Sequence, residues 1–454
     1  ELFEGLAIEK LEKHWKTYPV MHLDLNAEKY ETEEDLQQIL EKQLSAWETL
    51  YDSPKAIESY SMRFLNVIEA AYKKTGMRVV ILIDEYDKPL LRAMHDEELQ
   101  NRYRNLLTAF YTVLKSADPW IHLVFITGVT KFAQVGIFSN LNQLFDISFD
   151  PRFDTLCGLT RQEIEDTFAP ELDALAQSNR LTYDETIEKL TRMYDGYHFM
   201  EDQKEGVFNP FSVLKVLSSG KFRDYWFASG TPTFLAEMLK QTSYDLRELD
   251  GIEVSAASLT DDRADVNNPV PMIYQSGYLT IKNYDEEFKT YTLGYPNDEV
   301  KYGFLNFVAP FYICVPAVEI PFYIGKFITE LRSWKIDAFL TRMRAFFADF
   351  PYELNERTER HYQVVFYLIF KLMGQFTQTE VRSACGRADA VVWTASHIYV
   401  FEFKLSGSAD DALKQIDEKG YLIPYTVDER QLVKIGVNFD AEKRNLGNWI
   451  IEGC

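Results

Sequence analysis

Hydrophobic positions along this chain change their spacing three times. In the first third, Tyr18 to Leu25 (YPVMHLDL), Val79 to Ile83 (VVILI) and Ile121 to Thr127 (IHLVFIT) are near-continuous apolar runs. Such runs separated by helical stretches predict buried strands of a parallel sheet. Residues 33–74 keep helical spacing up to Gly76, and 97–115 form an amphipathic stretch with Glu97 and Glu98 first and Lys115 last. Acids at the start and a base at the end suit the helix dipole. From 156 to 250 the apolar residues recur every three or four, broken at Gly196, Asn209-Pro210 and Gly230-Thr231-Pro232, which predicts a helical subdomain. Tyr278 to Ile281 and Thr290 to Leu293 alternate around the charged turn Asp285-Glu286-Glu287 and predict a β-hairpin. A helical stretch interrupted by Pro310, Pro316 and Pro321 follows.

The last stretch changes character again. Leu354 to Met373 predicts a long helix stopped by Gly374, a residue suited to a left-handed cap. Ala388 to Trp393 (ADAVVW) and His397 to Leu405 (HIYVFEFKL), joined by Thr394-Ala395-Ser396, predict a hairpin. Ala409 to Lys419 reads as a helix closing at Gly420, and Val433 to Val437 as a strand. The predicted order is helix, strand, strand, helix, strand.

Composition narrows the field. At 454 residues the chain exceeds one ordinary core, so two or three domains are expected. Apolar residues at 46% exclude wholesale disorder. The net charge of −22 opposes wrapping a phosphate backbone over a broad surface and leaves only a local basic groove for nucleic acid. Cys157, Cys314, Cys385 and Cys454 are scattered without metal-ligand spacing, which suits reduced, intracellular thiols. No run reaches roughly 18 apolar residues, and Glu1 to Glu4 is no signal peptide. A cytoplasmic protein with no membrane partner is expected. The absent initiator Met suggests N-terminal truncation.

The candidate chemistry lies near the tail. On a strand from His397 to Leu405, Glu402 and Lys404 share a face with Ile398 and Val400, while Tyr399, Phe401, Phe403 and Leu405 take the other. Asp389, on the preceding strand, reaches the same spot across the hairpin. Two carboxylates make a hard-oxygen site suited to Mg²⁺, and Lys404 adds a compact cation beside it. The same acid-x-Lys spacing also suits a surface ion pair of about 0–1 kcal/mol without function.

The set Gly386-Arg387-Ala388-Asp389, Glu402-Phe403-Lys404 and Gln415-Ile416 resembles the PD-(D/E)XK nuclease superfamily over roughly residues 350–440. That resemblance implies an αβββαβ core. It also implies metal ligation by Asp389 and Glu402, a catalytic Lys404, support from Gln415, and an additional acid from the first helix, for which Glu359 is the candidate. Mg²⁺ or Mn²⁺ would be the cofactor, and DNA or RNA the partner.

Upstream, Val79 to Ile83 runs into Asp84-Glu85-Tyr86-Asp87, paired acids at the strand edge where ligands of parallel sheets bind. In a nucleotide hydrolase Asp84 would hold Mg²⁺ through water, Glu85 would polarise the attacking water, and Thr127 would sense the γ-phosphate. An exposed acidic turn is the plainer alternative. The segments ILIDEYDKPL (81–90), FITGVTKF (125–132), MYDGYHF (193–199), VFNPFSVL (207–214) and YQSGYLTI (274–281) resemble the AAA-ATPase-like domain found N-terminal to PD-(D/E)XK modules in many bacterial proteins. That resemblance implies a Walker A loop upstream, but no GxxxxGK[ST] is present: Gly220-Lys221 and Gly325-Lys326 are both followed by Phe. This polypeptide is therefore expected to bind ATP poorly, with ATP a cofactor of the intact protein. His361 reads as a packing group and Lys131 as a solvated loop lysine.

The expected fold class is α/β. It comprises an incomplete P-loop NTPase-like parallel sheet (1–155), a helical and winged-helix-like middle region (156–345) and a restriction-endonuclease-like αβββαβ domain (346–454). The expected function is an ATPase-associated, metal-dependent nuclease. A nucleotide-dependent regulatory or signalling module with a silent nuclease-like domain is the alternative, and a scaffold with both sites dead is the third.

Overall fold

The structure is a computed structural model that describes residues 3–26, 29–54, 59–94, 96–129, 138, 144–229, 235, 238–239, 244–259, 268–313, 315–348, 359–381, 389–404, 407–440, 443 and 445–453. Lys131, the stretch Gly386-Arg387-Ala388 and the predicted helix start at 354–358 lie outside these residues. The chain divides into two compact units, Glu1–Ile147 with Ala257–Ser276, and Ser148–Ala256 with Gly277–Cys454.

In the first unit β1 (Val20–Asp24), β2 (Val79–Asp84) and β3 (Ile121–Ile126) form a parallel sheet with β2 in the centre. The predicted helical stretch 33–74 is two helices, α1 (Glu33–Tyr51) and α2 (Tyr60–Thr75). Pro54 explains the break, because proline disfavours helical backbone in the residue before it; α1 ends at Asp52 in the left-handed region, and Ser59 caps α2. With α3 (Glu97–Ser116) these helices pack through aromatic rings, Phe64 lying 5.8 Å from Trp47 and 4.5 Å from Phe110. Arg63 crosslinks α2 to α1, its Nε 2.7 Å from the buried Glu48 carboxylate.

The strands are not buried on both faces, as their continuous apolar runs suggest. Met21, Leu23, Ile81 and Ile83 are buried, whereas Val20, Leu123 and Phe125 are 46%, 50% and 41% exposed. Among the described residues the sheet is thus covered on one face.

The second unit opens with four helices, α4 (Arg161–Thr167), α5 (Ala169–Asn179), α6 (Tyr183–Tyr194) and α7 (Pro210–Ser219), around a core that includes Ile164, Leu172, Leu190 and Phe208. The expected hairpin is present as β5 (Thr280–Asp285) and β6 (Thr290–Gly294). A third strand, β4 (Ile252–Ser255), pairs with β6; four residues are too short to show a period. Next come α8 (Asp298–Tyr312), α9 (Ile320–Arg332) and α10 (Ile336–Ala348). Pro310 does not interrupt α8 but lies inside its last turn, so the one N–H donor it removes falls close to where the helix ends anyway. Pro321 sits in the first turn of α9, where its missing N–H is harmless.

The chain ends in α11 (Glu359–Met373), β7 (Gln378–Val381), β8 (Ala390–Trp393), β9 (His397–Lys404), α12 (Ala409–Glu418), β10 (Gln431–Asp440) and β11 (Asn445–Gly453). The sheet order is β11-β10-β9-β8-β7, with β9 and β10 parallel and the other pairs antiparallel. Helix, three strands, helix and strand reproduce the expected αβββαβ order, and β11 is added at the edge. Strands β7 and β11 escape the sequence pattern because neither alternates cleanly. Gly374 does not take the left-handed cap; its N–H instead donates to the Lys371 carbonyl in a tight turn at 2.9 Å.

Both faces of this sheet are covered. Val391, Ile398 and Val400 pack with Leu413 and Ile416 of α12. On the other face Phe401 lies 5.7 Å from Phe339 and Phe403 4.4 Å from Phe366, while Tyr399 Oη donates to the Leu331 carbonyl at 2.7 Å. Helix α12 comes close only because β10 carries Gly436: a Cβ there would stand 2.4 Å from the Ala409 carbonyl oxygen. Gly436→Ala is accordingly expected to destabilise the chain by about 1–3 kcal/mol through overpacking, and thermal unfolding against the parent chain checks it.

Candidate active site

The hairpin register brings the tail residues together. Ala390 pairs with Phe401, so Asp389, one residue before β8, stands opposite Glu402. The Phe403 N–H donates to Asp389 Oδ2 at 2.8 Å and fixes that carboxylate at the strand edge. Glu402 is only 3% exposed. Its Oε1 accepts from Gln415 Nε2 and lies 3.6 Å from Lys404 Nζ. Lys404 Nζ in turn donates to Gln415 Oε1, and Gln415 Nε2 also donates to Tyr421 Oη at 3.2 Å. Gln415 therefore bridges the acid and the lysine from α12.

Glu402 Oε2 is buried without a hydrogen-bond partner. Burial pushes the Glu402 carboxyl up to about 7, the charge of Asp389 adds to the rise, and Lys404 opposes it. Asp389 is raised as well, first by burial, against the Phe403 N–H, Lys404 and Arg247. Two carboxylates that both resist ionisation where they stand are a place that lacks positive charge. An orphaned oxygen facing a second acid fits a divalent cation, whose charge would stabilise both carboxylates. Among the described residues no three His, Cys, Asp or Glu side chains gather into a full metal cage, so two carboxylates would leave the remaining positions to water and phosphate oxygens.

Glu359 opens α11, and its side chain lies outside the described residues. Arg247 was not singled out from the sequence. Its guanidinium donates to Asp245 through Nε at 2.8 Å and Nη2 at 2.6 Å, and through Nη1 to Gln363 of α11 at 2.5 Å; its charge is felt at Asp389. No local signal could have found it, because it joins the site from far upstream in the sequence.

In the first unit Asp84 and Thr127 sit at the C-terminal ends of adjacent strands, and Thr127 Oγ1 donates to Asp84 Oδ1. Glu85 has the left-handed φ of 57° and buries Oε2 without a partner. Burial raises its carboxyl; Lys88 opposes the rise, and Asp87, Asp84 and Asp24 add to it. The three residues named from the sequence thus stand within one strand-end cluster.

Comparison with known proteins finds a family match at each end of the chain. Residues 1–138 match the AAA-ATPase-like family, described as a predicted AAA-ATPase, and residues 357–449 match the PD-(D/E)XK nuclease superfamily. The "Uncharacterized protein in vnfD 5'region" of Azotobacter chroococcum mcd 1 is 30% identical over 460 residues, which cover 99% of this chain and 86% of that protein. No solved structure matches the chain. Among the described residues no helix is long and apolar enough to cross a membrane.

The raised Glu402 carboxyl has a consequence for stability. Its ordinary value is 4.5 and its folded value about 7, so the folded chain holds this proton more tightly than the unfolded one. The stabilisation is fully present below pH 4.5 and is lost as pH climbs through about 7, a swing on the order of 3 kcal/mol. Glu402→Gln is therefore expected to raise the melting temperature of the metal-free chain at about pH 8 and to leave it nearly unchanged at about pH 4, as calorimetric melts at the two pH values will show.

Proposed function

The chain belongs to the family of that Azotobacter protein and joins an AAA-ATPase-like region to a PD-(D/E)XK nuclease-superfamily region, and from this premise we propose that it hydrolyses phosphodiester bonds in DNA or RNA with Mg²⁺ or Mn²⁺. The observation that carries the reading is the unpartnered oxygen of buried Glu402 opposite Asp389, with Lys404 alongside. Asp389 and Glu402 are the proposed ligands, and a bound cation would lower the pKa of a coordinated water and neutralise charge on the scissile phosphate. Lys404 contributes a fixed ammonium beside the reacting phosphate. Gln415 positions it, since one amide holds both the lysine and Glu402. Burial of Glu402 keeps bulk water from screening these charges.

The AAA-ATPase-like region is proposed to couple ATP to this activity in the intact cytoplasmic protein, with Asp84 toward Mg²⁺, Glu85 toward the attacking water and Thr127 toward the γ-phosphate. Functionally the chain is then divided as 1–155, 156–345 and 346–454. A second reading, a module that binds nucleic acid and does not cut it, draws support from Lys404, whose ammonium is already engaged by Gln415 and Glu402.

Cleavage assays with Mg²⁺ or Mn²⁺ on single- and double-stranded DNA and RNA separate the two readings. Asp389→Asn and Lys404→Ala are each expected to slow cleavage by about 10²-fold or more. Lys404→Ala should keep calorimetric cation binding, and Asp389→Asn should lose it. Undiminished cutting by either variant would refute the assignment.

A further inference from the structure

Arg247 has more hydrogen-bonding capacity than its place in the fold consumes. It lies in the short turn Leu246–Glu248, just upstream of β4, and that turn is tied down on both sides. Leu246 and Leu249 are fully buried, and Tyr312 Oη of α8 donates to the Tyr244 carbonyl at 2.8 Å. Asp245, 1% exposed, accepts the Arg247 backbone N–H at 3.1 Å and takes Nε and Nη2 of the same residue. A buried carboxylate thus holds the guanidinium in one direction.

A guanidinium carries five N–H donors. Asp245 takes two and Gln363 one, so two remain, one on each terminal nitrogen. Among the described residues neither meets an acceptor. Asp389, whose charge is felt at Arg247, accepts from the Phe403 N–H instead. The ion pair meets solvent through the arginine, whose side chain is 19% exposed against 1% for Asp245.

Helix α11 sets where these donors stand. Gln363 lies one turn ahead of Phe366, whose ring is 4.4 Å from that of Phe403, and the Phe403 N–H holds Asp389. Arg247 is therefore joined to the carboxylate pair through one helix and one strand. As a tie between the turn and α11 it would be complete with the three bonds it makes; the donors left over suit a ligand.

We propose that Arg247 positions substrate at the nuclease-type site, its two spare N–H groups taking a backbone phosphate of the nucleic-acid strand next to the phosphate held at Asp389 and Glu402. This role rests on the reading of that site as one for nucleic acid, and it adds a contact supplied from the middle of the chain. Arginine suits it, because a planar fork matches two phosphate oxygens and keeps its charge. With a net charge of −22, local cations must draw in a polyanion, and the Lys404 ammonium is engaged by Gln415 and Glu402. A phosphate contact reads no bases, so its loss weakens binding evenly across sequences.

Fluorescence anisotropy of the full chain with labelled single- and double-stranded DNA and RNA in Ca²⁺, alongside initial cleavage rates in Mg²⁺, tests this. Arg247→Gln is expected to raise Kd and KM about tenfold for the oligonucleotides that the parent chain binds, and to change kcat by less than about threefold. The slope of log Kd against log salt should fall by about one. Asp245→Asn/Arg247→Gln leaves no buried carboxylate unpaired, so it is expected to recover melting temperature relative to Arg247→Gln while keeping the weakened binding. A purely structural tie gives the reverse, binding restored along with stability, and that result overturns the proposal. So does a Kd and salt slope that Arg247→Gln leaves unchanged, or a parent chain that binds none of the oligonucleotides. A parent chain that binds without cutting sinks the hydrolysis reading alone, and the Kd and salt slope of Arg247→Gln then decide the phosphate contact.

Discussion

A carboxylate almost wholly withdrawn from water governs the C-terminal site. Glu402 is 3% exposed, and one of its oxygens has no hydrogen-bond donor. An unpaired buried carboxylate is costly, so the fold tolerates it only if the proton is kept or a cation arrives. Everything nearby follows from that constraint. Gln415 gives its amide to Oε1, Lys404 stands 3.6 Å away, and Asp389 opposite intensifies the negative field. The arrangement exists because α12 approaches β10 over Gly436, the residue paired with Glu402 itself. A single missing side chain thus sets how deep the acid is buried and how near its glutamine partner stands.

The first unit repeats the theme with different geometry. Glu85 also buries an oxygen without a partner, and its neighbours Asp84, Asp87 and Asp24 are acids. Here the backbone itself is held in the left-handed region, so local strain as well as electrostatics marks the strand end. Thr127, one residue beyond β3, ties to Asp84 through its hydroxyl, which binds the ends of two adjacent strands into one polar edge. Both candidate centres therefore lie at strand ends, where alternating burial stops and side chains can turn toward a ligand without disturbing the core.

Periodicity made much of this legible. The strands β1, β2 and β3, the hairpin of β8 and β9, and helix α12 follow directly from apolar spacing and from where glycine and proline fall. The two faces of β9 were readable as well: a strand alternates by geometry, so Glu402 and Lys404 had to share a side with Val400 and oppose Phe401 and Phe403. Short or uneven elements were not legible. β4 has four residues, β7 has four, and β11 lacks a steady alternation, so each exists because a neighbouring strand offers hydrogen bonds rather than because its own residues demand it.

Alternation along the sequence alone was enough to put Glu402 and Lys404 on one side of their strand and Asp389 across the hairpin from them, because it acts over a few residues, whereas Gln415 was named only through the family resemblance. Only the tertiary structure decided that Glu402 is buried with a vacant oxygen, that Gln415 bridges it to Lys404, and that Arg247 comes to lie near Asp389. Burial depth and electrostatic field are sums over everything packed around a group, and residues distant along the chain contribute to that sum as strongly as neighbours. The same holds for the lysines gathered about Asp250, drawn from β5, α8 and α11, which no local pattern could have placed together.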